Sequence, residues 1–144
     1  RRIVMPKKLI LILMLGMLIL SGCAQADAGL IKVQETCVVT NTTGNCKGSM
    51  QEIRNDNVKT YEKIFTNPEQ YAYMNFSISI ETGSLQVEVY QYGGTWYALD
   101  VTPEVPGTYS GWVNADADGN FSIKYHQIGK QAVKNIQYDF DIKQ

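Results

Sequence analysis

Apolar and polar residues alternate most regularly in one stretch, MNFSISIETGSLQVEVYQYGGTWYALDV, which covers residues 74–101. Successive side chains of a β-strand point to opposite faces, so this alternation predicts strands with one buried face. The predicted buried faces are Met74, Phe76, Ile78 and Ile80, then Leu85, Val87 and Val89, then Tyr97, Leu99 and Val101. Gly93 and Gly94 separate the last two strands and allow the positive φ values of a tight hairpin turn.

The same alternation continues outward from this stretch. Ile136, Tyr138, Phe140 and Ile142 predict a well-paired final strand. Two further segments, Thr108–Val113 and Phe121–Tyr125, are predicted to pair with each other across the Asp118-Gly119 turn signal.

Upstream residues give a weaker pattern. The segments from Leu30 to Thr40 and from Val58 to Phe65 predict strands, whereas Lys47 to Asn57 predicts a loop. Seven or eight short strands predict an all-β fold, an antiparallel β-sandwich or jelly roll, over residues 32–144. In this pattern alone, the segment resembles small β-sandwich modules of secreted bacterial proteins, including pre-peptidase C-terminal domains, and that resemblance carries no site residues.

The N-terminal segment has the composition of an export signal. Four basic residues lie within the first eight, and a 12-residue run, LILILMLGMLIL, follows at residues 9–20. A spanning helix needs about 20 apolar residues, so the run predicts a helical signal peptide over residues 1–22. The following Leu20-Ser21-Gly22-Cys23 resembles the lipobox of bacterial lipoproteins.

The lipobox resemblance implies that Cys23 carries a diacylglyceryl thioether and that cleavage occurs before Cys23. The diacylglyceryl group supplies two acyl chains, and one such as palmitate on the Cys23 amine would add a third. One chain alone binds a membrane only marginally, so two or three chains are expected to give a stable anchor. Residues 23–31 are then expected to form a lipidated tether that holds the protein to the bacterial cell membrane. Ala24, in place of the Asp that retains lipoproteins at the inner membrane, indicates the outer membrane if the host has two.

Charge and composition exclude several classes of protein. The chain has 13 basic and 14 acidic residues, and removal of the four leader cations leaves a net charge of −5. An acidic body without a basic stripe argues against a nucleic-acid partner. A hydrophobic share of 44% argues against disorder, and a mean hydropathy of −0.19 argues against a polytopic membrane protein.

Cys37 and Cys46 are the remaining cysteines, and an exported protein is expected to oxidise them to a disulfide. The alternative is a metal or redox thiol pair. The absence of CxxC spacing and the distance in sequence to His126 argue against that alternative.

Four aromatic residues fall on the outward parity of the predicted strands, namely Trp96, Trp112, Tyr73 and Tyr90. Aromatic side chains combine apolar area with a polar tip, so they predict a surface that binds a glycan or an envelope protein. The alternative is that these faces are partly buried, because a one-residue register error moves every side chain to the other face.

Asn114, Asp116 and Asp118 precede Gly119 at the spacing of the first half of a calcium loop. Position twelve of such a loop holds Tyr125 in place of the bidentate Glu, and the flanking segments predict strands. A Ca²⁺ ion is therefore one interpretation, and the other is a turn whose side chains hydrogen-bond their own backbone.

Catalytic patterns are sparse. His126 has no GxSxG-type nucleophile, and Asp139 and Asp141 fit a solvent-facing strand as well as a carboxylate pair. The sequence therefore predicts no enzyme and no resident cofactor, but a lipid-anchored, non-catalytic binding module for a glycan or an envelope protein. The alternatives are a structural envelope component that spaces a partner assembly and a small carboxylate-dependent hydrolase.

Overall fold

A computed structural model describes residues 29–40, 42–61 and 71–144. The strands are β1 Leu30–Ile31, β2 Gln34–Val39, β3 Thr43–Ile53, β4 Asp56–Tyr61, β5 Tyr71–Ser79, β6 Leu85–Gln91, β7 Thr95–Val101, β8 Gly107–Asn114, β9 Phe121–Gln127 and β10 Val133–Lys143. Every pairing between them is antiparallel. The predicted all-β class is confirmed, with ten strands in place of seven or eight.

Helices are absent from the three described ranges. Accordingly, these ranges contain no helix that is long and apolar enough to cross a membrane.

The strands form two layers. We call β1, β2, β3, β10, β5 and β8 the first sheet, and β4, β9, β6 and β7 the second sheet. Among the described residues, strand pairing between the two sheets is limited to one residue pair of β6 and β8, Gln91 with Val113. This arrangement matches the predicted antiparallel sandwich.

The core lies between the two sheets. Phe140 of the first sheet meets Tyr61 and Phe121 of the second, with ring centroids 4.8 and 6.1 Å apart. All three side chains are buried. Burial of apolar surface at this contact stabilises the packing of the two sheets by about 25 cal/mol per Å².

The most regular predicted strands are confirmed. Buried residues alternate with more exposed ones along β5, β6 and β10, and β10 pairs with β3 on one side and with β5 on the other. The hairpin between β6 and β7 is also confirmed, with Gly93 and Gly94 at φ values of 99° and 86°. Tyr97 shares the parity of Leu99 and Val101 as predicted, but it is 43% exposed at the edge of the second sheet.

The loop predicted from Lys47 to Asn57 is wrong. Most of this segment belongs to β3, which pairs along its whole length with β10. Gly48 interrupts the alternating apolar pattern of this strand, since a glycine has no apolar side chain. The structure nevertheless requires a glycine at this position. A Cβ at this position would lie 2.3 Å from the Tyr138 hydroxyl oxygen.

The predicted pairing of Thr108–Val113 with Phe121–Tyr125 is also wrong. β8 pairs with β5 along its length, and β9 pairs with β4 and β6. The chain does turn at Gly119, where φ is 82°, but Ala115 is buried in the core. The connection is therefore a corner that carries the chain from one sheet to the other.

Leu30 begins a strand, as predicted for the segment from Leu30 to Thr40. Leu30, assigned by its sequence to the tether at residues 23–31, is buried and pairs with Ile53. The predicted signal peptide over 1–22, the lipidation of Cys23 and the rest of the tether lie outside the described residues, as does the end of the segment predicted from Val58 to Phe65.

Candidate binding site

A groove crosses the outer face of the first sheet, where β10, β5 and β8 run side by side. Strand register places Lys143 beside Tyr73 and Tyr73 beside Trp112. The next outward row holds Asp141, Asn75 and Ser110. We call this site the aromatic groove; it has a volume of about 330 Å³ and is lined by Tyr73, Asn75, Trp112, Asp141, Lys143 and Gln144.

The apolar wall of the aromatic groove is a cluster of exposed rings. Trp112 and Tyr73 are 49% and 40% exposed, and their centroids lie 5.6 Å apart in an edge-to-face contact. Tyr71 contacts Trp112 at 5.5 Å and Tyr92 at 5.3 Å. Edge-to-face contacts of this kind hold rings in place while leaving their surfaces accessible.

The polar wall offers hydrogen-bonding groups of several kinds. The Ser110 hydroxyl donates to the Asn75 side-chain oxygen at 2.9 Å. Asp141 and Lys143 add exposed groups of opposite charge on β10. The side-chain amide atoms of Gln144 are buried without a hydrogen-bond partner among the described residues, although buried polar groups are normally paired. A flat ring beside such groups suits a ligand that is apolar on one face and polar at its edges.

The four predicted aromatic residues separate into two pairs. Tyr73 and Trp112 lie in the aromatic groove, whereas Tyr90 and Trp96 contact each other at 5.1 Å on the second sheet. The Lys124 ammonium lies 3.5 Å from the Trp96 ring centroid, a distance at which a cation binds the ring face. The Trp96 ring therefore already has an intramolecular partner.

Sequence reasoning missed two rings that contact each other beside the aromatic groove, those of Tyr71 and Tyr92. Tyr71 shares the outward parity of Tyr73, so alternation alone points to it. Tyr92 lies in the β6–β7 turn and is held against β8 by a 3.0 Å hydrogen bond from its N–H to the Trp112 carbonyl. Only the strand order brings Tyr92 to Tyr71 and Trp112, and no local pattern gives that order.

His126 lies on the outer face of the second sheet between two carboxylates. Its Nδ1 is 3.1 Å from an Asp56 oxygen, and its Nε2 is 3.0 Å from a Glu88 oxygen. Burial lowers the pKa of His126, but the hydrogen bonds to Glu88 and Asp56 outweigh that effect and raise the pKa above its usual value. Both ring nitrogens are engaged, so the geometry gives His126 the role of a cross-strand ion-pair partner.

The two aspartates of the hydrolase alternative have different surroundings. Asp139 is 3.3 Å from the Lys47 ammonium, and Asp141 lines the aromatic groove. Both face outward on β10, as predicted for a solvent-facing strand.

In the predicted calcium turn, the Asp116 carboxylate accepts hydrogen bonds from the backbone of the turn itself. The N–H groups of Asp118 and Asn120 each donate to Asp116 Oδ1 at 2.9 Å. Hydrogen bonding to the Asn120 backbone is the main reason that the pKa of Asp116 is lowered. This geometry fits the alternative of a self-capped turn, and calcium binding by Asn114, Asp116 and Asp118 stays a prediction.

The predicted disulfide is confirmed between Cys37 and Cys46, which face each other on β2 and β3 with Cα atoms 4.1 Å apart. Glu35 brings a carboxylate within 4.8 Å of both sulfur atoms. Metal binding by cysteine requires the thiolate. The disulfide removes both thiolates, so these three residues form no metal centre in this state.

Comparison with known proteins gives no family for this fold and groove. No family model and no curated protein matches the chain. Among solved structures, it is similar to the capsular polysaccharide assembling protein CapF from Staphylococcus aureus, with 6% identity, a TM-score of 0.40, and coverage of 77% of this chain and 29% of that one. It is also similar to Peruvianin-I, a cysteine peptidase from Thevetia peruviana latex, with 12% identity, a TM-score of 0.38, and coverage of 85% and 69%.

A third similar structure is the recombinant pro-11S globulin of pumpkin, with 9% identity, a TM-score of 0.37, and coverage of 74% of this chain and 25% of that one. All three TM-scores lie below 0.5.

Proposed function

We propose that this protein is an exported lipoprotein, anchored through acyl chains on Cys23, whose β-sandwich binds a glycan without catalysis. The observation that carries the binding role is the aromatic groove. Exposed Trp112 and Tyr73 rings stand beside the amide, carboxylate and ammonium groups of Asn75, Asp141 and Lys143. A sugar ring has an apolar face and a rim of hydroxyls, so it matches both walls.

The anchoring role is supported by the Leu20-Ser21-Gly22-Cys23 box behind a short apolar run. Two or three acyl chains would hold the protein stably without a spanning helix. If the host has two membranes, Ala24 favours the outer one. Substitution of Cys23 by Ala is expected to abolish incorporation of labelled palmitate and to release the protein from the membrane fraction. Unchanged labelling of the variant would exclude this anchor.

A glycan array probed with the full chain in mild detergent tests the binding role. The chain offers a matched pair of variants, because Trp112 lies in the aromatic groove whereas Trp96 lies on the second sheet and is 37% exposed. Trp112→Ala is expected to weaken binding at least about tenfold, the effect of removing a central aromatic contact. Trp96→Ala is expected to leave it unchanged.

Three outcomes would contradict this function. Equal binding by wild type and the Trp112→Ala variant would remove the aromatic groove as the site. Binding lost only in Trp96→Ala would move the site to the second sheet. Capture of an envelope protein that depends on Trp112, with no glycan bound, would replace the glycan by a protein partner.

A further inference from the structure

A second, larger groove lies on the same outer face. We call it the polar groove; it has a volume of about 980 Å³, and Gln34, Ser49, Ser77, Ser79, Gln137 and Asp139 are among its lining residues. Strand register sets Gln34, Ser49, Gln137 and Ser79 side by side across four strands. The regular register of these four strands therefore aligns the polar side chains that line the polar groove.

The two grooves adjoin each other along β5 and β10. On β5 the outward positions run from Tyr73 and Asn75 in the aromatic groove to Ser77 and Ser79 in the polar groove. Six residues separate Tyr73 from Ser79, which corresponds to about 20 Å at roughly 3.4 Å per residue. This length exceeds what one sugar ring can contact.

The outward side chains of this surface indicate an uncharged ligand. Most carry hydroxyl or amide groups, which donate and accept hydrogen bonds without a net charge. The outward charged side chains on β3 and β10 along both grooves are Lys47, Asp139, Asp141 and Lys143, so positive and negative charges are equal in number. Lys47 and Asp139 also pair with each other at 3.3 Å. A strongly anionic chain would find no excess of positive charge here.

We propose that one extended, uncharged polysaccharide chain occupies both grooves and runs along the strands from Trp112 to Gln137. The inference rests on the proposed function, and it assigns a ligand class and a direction to that site. Trp112 stacks one sugar ring, Tyr73 contacts the edge of that sugar ring, and the serine and glutamine side chains hydrogen-bond the sugar rings that follow. Affinity therefore increases with chain length until the polar groove is filled.

Titration calorimetry of the full chain in mild detergent tests this inference. The probes are cello-, laminari-, xylo- and manno-oligosaccharides of two to six residues, with an oligogalacturonate hexamer as the anionic comparison. For the series that binds, each added residue up to the length of the surface is expected to raise the affinity. The variant with Ser79→Ala and Gln137→Ala is expected to weaken hexasaccharide binding roughly three- to tenfold. Its disaccharide binding is expected to remain unchanged.

A matched control is Gln86→Ala, a glutamine on the outer face of the second sheet, which is expected to alter neither affinity. Affinity that is the same for two and six residues, with Trp112→Ala still lowering it, would overturn this inference and leave the proposed function standing. Failure of all four series and of the oligogalacturonate hexamer to bind would overturn both. Tighter binding of oligogalacturonate than of any neutral hexamer would refute the uncharged ligand.

Discussion

Glu35 joins the edges of the two sheets. From β2 in the first sheet, its carboxylate accepts hydrogen bonds from the Tyr61 hydroxyl at 2.9 Å and from the Tyr138 hydroxyl at 2.6 Å. The Lys59 ammonium on β4 of the second sheet donates to the same carboxylate at 2.7 Å. Burial, together with neighbouring groups, raises the pKa of Tyr61 and Tyr138, so both phenols stay protonated and act as donors.

Removal of this carboxylate in Glu35→Ala is expected to lower the free energy of unfolding substantially. Breaking a buried ion pair costs about 3–5 kcal/mol because the remaining charge is left unpaired. The side chains of Lys59 and Glu35 retain 12% and 19% exposure, so part of that cost is relieved by solvent. We expect a loss of about 2–3 kcal/mol, which lowers the melting temperature by roughly 10 °C for a domain of this size.

Urea unfolding followed by far-UV circular dichroism measures this loss. Glu104→Ala, in the exposed loop before β8, is the matched control and is expected to stay within about 0.5 kcal/mol of wild type. The double variant with Glu35→Ala and Lys59→Met is expected to be less destabilised than the two single losses added together, since it no longer leaves an unpaired charge. A Glu35→Ala loss no larger than that of the control, or strict additivity in the double variant, would refute this account.

Three other perturbations have defined outcomes. The raised pKa of His126 means that its stabilising ion pairs are fully present below its ordinary pKa of about 6.5 and are lost as the pH rises through the folded value. Unfolding free energy measured from pH 5 to 9 should therefore fall more for wild type than for His126→Gln, and parallel curves would contradict this role. Replacing Cys37 and Cys46 by Ala should cost about 2–3 kcal/mol by loop-closure entropy, and a calorimetric melting temperature equal to that of wild type would argue against it. Tyr125→Phe removes a buried hydroxyl without a hydrogen-bond partner among the described residues, so thermal unfolding should show equal or greater stability, by up to about 1 kcal/mol, and a clear loss would reveal a partner.

Strands with one solvated face could be predicted from the sequence because burial differs between their two faces. β5 is the clearest example, since its inward residues Met74, Phe76 and Ile78 are almost fully buried while Ser77 and Ser79 are exposed. The tight turn at Gly93-Gly94 was predictable for an equally local reason, the positive φ values that glycine adopts without strain.

Features that depend on long-range pairing were not predictable in this way. The sequence between Val113 and Phe121 has the turn residues of a hairpin, yet burial of Ala115 directs the chain to the other sheet. β3 was missed because Gly48 interrupts its apolar pattern, although the Tyr138 ring fills the space above that glycine. In both cases the deciding contact comes from a residue distant in sequence or from the opposite sheet.

The candidate site shows the same division. Outward parity identified Trp112 and Tyr73 as exposed rings, and the structure brings them together because β5 pairs with β8. Parity also identified Trp96 and Tyr90, but it could not show that they lie on the other sheet with Lys124 over the indole. The sequence therefore predicted which aromatic residues face outward. Their distribution between the two sheets depends on the strand order, which the sequence pattern does not give.

The outer faces of the two sheets are therefore expected to have different roles, ligand binding on the first sheet and stabilisation of the fold on the second. On the second sheet, Glu88 joins His126 and Lys124, and Lys124 in turn covers Trp96, so this outer face is linked by its own side chains. Groups that are already paired gain little from a ligand, because a new contact must first break an existing one. The aromatic groove instead presents the exposed rings of Trp112 and Tyr73. Variants in the aromatic groove should therefore change ligand affinity at little cost in folding, while variants at His126 should change stability without changing affinity.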